Sequence, residues 1–188
     1  SWFHIDQHPI SKPGKQCIQG LVNLLPTSKE IGGNVIIPES HNFFKNIPKE
    51  YEERLGRLPL DIDHFRFPND DPKLSSKPAV MCHMEPGDML LWDSRTIHCS
   101  NSGTKLSDDT NKLIRAASLI CMMPKYLSDE SVLEKRREAV DKLISTTNWT
   151  NSFRNADEFP LILEAKDRAK YKWPKKPVLN AYQKSLID

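Results

Sequence analysis

At 188 residues, with 38% hydrophobic and 28% charged side chains, the chain is long enough to bury a real core and short enough to be one domain. A formal net charge of +2 carries no electrostatic footprint for nucleic acid, and no apolar run is long enough to span a membrane as a helix. That leaves a small molecule as the expected partner, with the oligomeric state not written in the composition. The charge is uneven: residues 161–188 hold seven Lys/Arg against three Asp/Glu. A solvated basic tail is the plain reading, and an anionic carrier group on a substrate the sharper one.

The four cysteines, Cys17, Cys82, Cys99 and Cys121, form no CxxC pair, and three sit in strand-like apolar runs. This is the pattern of a reduced, intracellular protein, cytoplasmic by default, and not of a disulfide framework or zinc ribbon. No signal-peptide pattern and no C-terminal peroxisomal tripeptide is legible. The chain opens without Met, directly on a strand. A fragment of a longer protein is therefore one reading, with any N-terminal address missing.

In chain order, residues 2–6 read as a strand, and residues 8–15, with Pro9, Pro13 and Gly14, as a loop. Residues 17–25 form a strand that places Gln19, Leu21 and Asn23 on one face; two amides on a face otherwise fit for burial suggest a partly wet cavity. Gly32-Gly33 turns the chain into Asn34-Val35-Ile36-Ile37, a β-branched strand ended by Pro38. A short helix or turn follows over 39–46. Residues 47–78 are charged and interrupted by prolines, with a weak helix near 50–55; such a loop reads as an insertion over a barrel mouth. Strands resume at 79–84, 89–92, 96–99 and 113–122, with Pro86-Gly87-Asp88 as a tight turn. Seven short strands without intervening helices indicate an antiparallel sandwich or jelly roll. Ser128 is positioned to cap a helix reaching about residue 144, whose apolar stripe (Leu133, Val140, Leu143, Ile144) would pack on the sheet. Beyond 146 the chain reads as a meandering tail.

His4 and Asp6, two apart in a strand, point to one face, and His98 is the best third donor. Two His and one carboxylate with the opposite positions open is the ligand set of non-haem Fe(II) oxygenases. Arg95, at a turn, is better placed for a salt bridge with Asp93 or Asp88.

His4-Ile5-Asp6-Gln7, Gln19-Gly20-Leu21-Val22-Asn23-Leu24, Gly32-Gly33-Asn34-Val35-Ile36-Ile37-Pro38-Glu39-Ser40-His41, Pro86-Gly87-Asp88-Met89-Leu90-Leu91-Trp92-Asp93-Ser94-Arg95-Thr96-Ile97-His98 and Arg115 occur in that order. Over residues 2–124 the chain resembles the phytanoyl-CoA dioxygenase family of Fe(II)/2-oxoglutarate oxygenases. The resemblance implies a double-stranded β-helix, cupin-like, over 1–124, with the first core strand missing from this chain. Residues 47–78 then lie over the barrel mouth, and 125–188 supply a C-terminal helix and basic tail packed on the core. It implies His4, Asp6 and His98 as iron ligands, and 2-oxoglutarate and O2 as cosubstrates, with ascorbate as an optional reductant. Arg115 matches the residue that pairs with the far carboxylate of 2-oxoglutarate, and Ser100 a hydroxyl that supports it. Gln19 and Asn23 are further pocket candidates. A fork-shaped Arg suits that carboxylate because an unpaired buried charge costs several kcal/mol.

The activity so implied is hydroxylation of an unidentified small or lipid-like molecule, with release of succinate and CO2. Asp6, where Ala or Gly would mark a halogenating variant, argues for the hydroxylase. The alternative is a cupin-like barrel that binds metal or ligand without oxygen chemistry.

Overall fold

The computed structural model describes residues 2–55, 63–104, 113–144, 146–153 and 175–187. The middle of the 47–78 stretch, the polar segment before Arg115 and most of the basic tail lie outside them. The chain divides into two compact units, Ser1–Cys121 and Met122–Asp188.

The first unit is mostly β. Its strands are β1 (His4–Ile5), β2 (Ile18–Asn23), β3 (Gly33–Ile36), β4 (Phe65–Arg66), β5 (Val80–Met81), β6 (Met89–Asp93), β7 (His98–Asn101) and β8 (Ala117–Met122), the last ending one residue past the unit. One helix, α1 (Ile47–Leu55), lies between β3 and β4. Five strands form a sheet in the order β4-β1-β7-β3-β5, and three form a second in the order β6-β2-β8. The registered pairs are antiparallel. Among the described residues there is no closed barrel. Eight strands stand where seven were expected, and α1 takes the place of the weak helix read near 50–55.

Turn chemistry sets the register. Gly32 has φ +95°, and a Cβ there would stand 2.2 Å from the Asn101 carbonyl oxygen, so only glycine lets the chain enter β3 beside the end of β7. At Pro86-Gly87-Asp88, the Asp88 carboxylate accepts the Glu85 N–H at 2.8 Å. The same turn clasps the end of β2 through Asn23 N–H to Asp88 O and Gly87 N–H to Asn23 O.

The largest correction concerns 47–78. It was expected to be an irregular cover over the barrel mouth, yet four of its apolar side chains belong to the core. Ile47, Tyr51, Phe65 and Phe67 are buried with Ile5, Ile37, Phe44 and Ile97 in one cluster. Three rings pack edge to face, Tyr51 on Phe65 at 4.5 Å and Phe65 on Phe67 at 5.0 Å between centroids, a geometry the ring quadrupoles favour. The Tyr51 hydroxyl donates to the buried Asp71 carboxylate. Lys73 ties the following 3₁₀ turn to Glu50 of α1. The charged and proline-rich surface of this stretch masks an aromatic spacing, and that spacing is what folds it inward.

Strand limits also move. β1 stops at Ile5, so Asp6 sits in the bend behind it. β8 starts at Ala117, leaving Arg115 two residues ahead of the strand and half-buried, where a buried strand position was expected. In the second unit, α2 runs Glu130–Asp141 with Asp129, not Ser128, at its N-cap; the Ser128 hydroxyl faces the Thr150 carbonyl instead. Leu133 and Ala139 are its buried residues. The tail is not wholly irregular: α3 (Ala181–Ser185) opens on a full capping box between Asn180 and Gln183, which satisfies two otherwise orphaned N–H groups.

Phe67 is 1% exposed. If the 47–78 stretch is core, Phe67→Ala lowers unfolding free energy by about 3–5 kcal/mol in urea titrations; a surface cover would give a change near zero.

Candidate metal centre

β1 lies between β4 and β7, with His4 opposite Arg66 on one side and His98 on the other. Directly opposed residues on neighbouring antiparallel strands present side chains on the same face. The His4 and His98 rings accordingly stand 4.4 Å apart between centroids. This register brings together two residues 94 positions apart in sequence.

Each imidazole is oriented in the same way. His4 Nδ1 lies 3.2 Å from the Trp2 carbonyl oxygen, and His98 Nδ1 lies 2.9 Å from that of Thr96. A carbonyl can only accept, so Nδ1 carries the hydrogen in both rings and Nε2 is left to face the site. The Trp2 indole stacks on His4 at 4.1 Å and 6°, and Trp92 leans on His98 at 5.3 Å. Neither ring is free to swing.

Asp6 completes the set from the bend after β1. Its Oδ1 is 3.4 Å from His4 Nε2 and its Oδ2 is 3.3 Å from His98 Nε2. One ligand atom from each of the three lies within 4.8 Å of the others. Metal bonds of about 2.0–2.2 Å hold adjacent ligand atoms roughly 3 Å apart, so the donor set fits one divalent ion. Burial alone would push the Asp6 carboxyl up. The His4 and His98 imidazoles beside it more than reverse that and hold it below the usual carboxylate range. An ionised carboxylate between two imidazoles, confined by neighbours on three sides, is built to receive a cation.

Around the triad, Gln19 of β2 donates its amide N–H to Asp6 Oδ2 at 2.9 Å. Gln7, fully buried, accepts from the Ser94 hydroxyl at 2.6 Å and donates to the Lys12 and Gly14 carbonyls. It pins the loop after the site to the turn before β7. Arg115 Nη1 donates to Ser100 Oγ at 2.8 Å and to the Asn101 carbonyl at 3.4 Å. The structure thus joins the two residues proposed for a carboxylate, on the strand that carries His98. Asn23 is placed elsewhere, its amide donating to the Met84 carbonyl at 3.3 Å. Arg95 forms a bidentate pair with Asp93 at 2.7 and 2.8 Å, as its turn position predicts. Of the remaining histidines, His64 and His83 are exposed, and His8 is buried with its Nδ1 accepting from the Ile10 and Ser11 N–H groups. Trp2 had no assigned role from sequence, although an aromatic two before His4 on an extended segment shares its face.

A 2-His-1-carboxylate group on a mostly β, antiparallel scaffold defines a candidate mononuclear metal centre. The description Phytanoyl-CoA dioxygenase (PhyH) matches residues 2–110. The chain is also 31% identical over 155 residues to "Ava biosynthesis cluster protein O" of Aspergillus versicolor, a match covering 78% of this chain and 47% of that protein. It spans about half the length of the curated relative. The chain belongs to the phytanoyl-CoA dioxygenase family, whose members are in general oxygenases of the Fe(II)/2-oxoglutarate type.

The folded-state value of Asp6 lies below its ordinary 3.8. The stability it contributes is complete above that value and is lost as pH falls from there toward the folded value. In Asp6→Asn this part of the acid limb disappears, so urea midpoints between about pH 5 and pH 2.5 fall less steeply than in the wild type. Equal slopes would show that the carboxyl is not held down.

Proposed function

We propose that this chain carries the core of an Fe(II)/2-oxoglutarate-dependent dioxygenase that hydroxylates a small or lipid-like molecule, releasing succinate and CO2. The observation that carries the reading is the His4–Asp6–His98 group, assembled by strand register within the stretch that matches the family. The two sheets are then the halves of a double-stranded β-helix, with residues 1–124 as the oxygenase core.

Bound Fe(II) would supply the redox centre at which O2 is reduced while 2-oxoglutarate is decarboxylated. The chain's own contribution is binding and orientation. Two neutral imidazoles and one carboxylate offset one of the two charges on a divalent ion, leaving a net +1 suited to an anionic chelator. Three protein ligands leave the remaining positions for cosubstrates. Arg115, with its guanidinium turned to Ser100, is the cation available on the His98 side to pair with the far carboxylate of 2-oxoglutarate, and the Ser100 hydroxyl steadies that fork. Arg95 is spent on Asp93 and does not compete. The relative is named as a biosynthesis cluster protein, which favours a small molecule as the substrate.

Anaerobic addition of Fe(II) and 2-oxoglutarate to the folded protein should produce the weak visible charge-transfer band of the chelate, absent in His98→Ala. A folded protein that binds iron without the band is a metal-binding barrel and not an oxygenase. Arg115→Ala should raise the 2-oxoglutarate concentration needed for the band by roughly tenfold or more, the cost of a lost charge-assisted pair, with the iron requirement little changed. Equal effects on both would remove Arg115 from the cosubstrate site.

A further inference from the structure

Gln19 is an expensive residue where it stands. It is 5% exposed, on the inward face of β2 opposite Trp92. One end of its amide is used, Nε2 donating to Asp6 Oδ2 at 2.9 Å. The other end, Oε1, is closed to solvent and has no hydrogen-bond partner among the described residues. Rotating the amide by half a turn would not help, because Asp6 is an ionised carboxylate and only accepts; the orientation is dictated from the Asp6 side. An unsatisfied buried acceptor is destabilising. Leu21, the next residue on the same face, is buried without that cost. A polar side chain retained against stability calls for an explanation in the site.

The contact supplies one. Asp6 lies outside β1, in a bend, so strand pairing holds His4 but does not hold the Asp6 carboxylate. Gln19 reaches it from the three-stranded sheet, while His4 and His98 belong to the five-stranded sheet. The hydrogen bond therefore spans the two sheets and orients a ligand that strand pairing does not itself position. It engages Oδ2, while Oδ1 lies on the His4 side. We propose that Gln19 is a positioning residue that orients Asp6 for metal binding, at the expense of an unpaired Oε1. This rests on the metal-centre reading above and is tested without turnover.

The test compares wild type with Gln19→Leu and Gln19→Met, both lacking the donor. Mn(II), a divalent probe whose free form is counted by electron paramagnetic resonance, is titrated into each metal-free protein, and the metal-free melting temperature is measured in parallel. Loss of a partner that orients a metal ligand typically weakens binding by roughly 10–100-fold. That loss is expected in both variants, with the metal-free proteins still folded at the temperature of the titration. Two results overturn the proposal: Mn(II) affinity in the folded variants within about twofold of wild type, or metal-free variants that both fail to fold. Absence of Mn(II) binding to the wild type would instead sink the metal centre itself, and the role of Gln19 with it.

Discussion

The site depends on one register: His4 of β1 opposite His98 of β7. Side chains alternate along a strand, so a slip of one residue would send one imidazole to the other face and dissolve the group. β1 is only two residues long and could not enforce that register by its own hydrogen bonds. It is held from both edges, β7 on one and β4 on the other, with Phe67 N–H to Phe3 O continuing the pairing beyond β4. Ile5, between the two ligands, is fully buried in the apolar cluster. Thus the side chain that anchors the strand to the core sets the direction in which its two neighbours point.

The stretch between residues 47 and 78 takes its importance from the same constraint. It delivers β4, the flank of the strand that carries His4, and the aromatic residues that cluster with Ile5. The buried Asp71 is made tolerable by the Tyr51 hydroxyl and the Lys73 N–H, since a buried carboxylate must be hydrogen-bonded. What resembles an insertion by composition is a buttress of the centre. Substitutions far from the triad, in this segment, act on the site through the position of β1.

The electrostatics follow from the packing. His4 and His98 are 8% and 6% exposed, and each has its Nδ1 committed to a backbone carbonyl. The field at Asp6 is set by groups that cannot rearrange, which is the condition for a preformed ion site. Around the Arg115–Ser100 pair the arrangement is more open: Ser100 is exposed and Arg115 half-buried. A buried, rigid ligand group beside a more accessible cation suits a tightly held ion and an exchangeable anionic partner.

By itself the sequence determined the local features: strands around residues 18–23, 33–36 and 89–93, the turn at Gly87, the His4/Asp6 pair, the motif ending at His98, and a salt bridge of Arg95 with Asp93 or Asp88. All of these are set by periodicity, turn chemistry or near neighbours, so they are legible within a few residues. The family resemblance supplied the link between distant motifs, and the match over residues 2–110 agrees with it. Only the tertiary structure decided what hangs on long-range contact. It showed that β4 pairs with β1, that Ile47, Tyr51, Phe65 and Phe67 are core, that Asp6 lies outside the strand and accepts from Gln19 of another sheet, and that Asn23 serves the Met84 carbonyl. Nothing local marks such partners, because a hydrogen bond to a residue many positions away leaves no trace in the pattern around either end. His4-Ile5-Asp6 could be read as two donors on one face; that they face His98 is a property of the sheet.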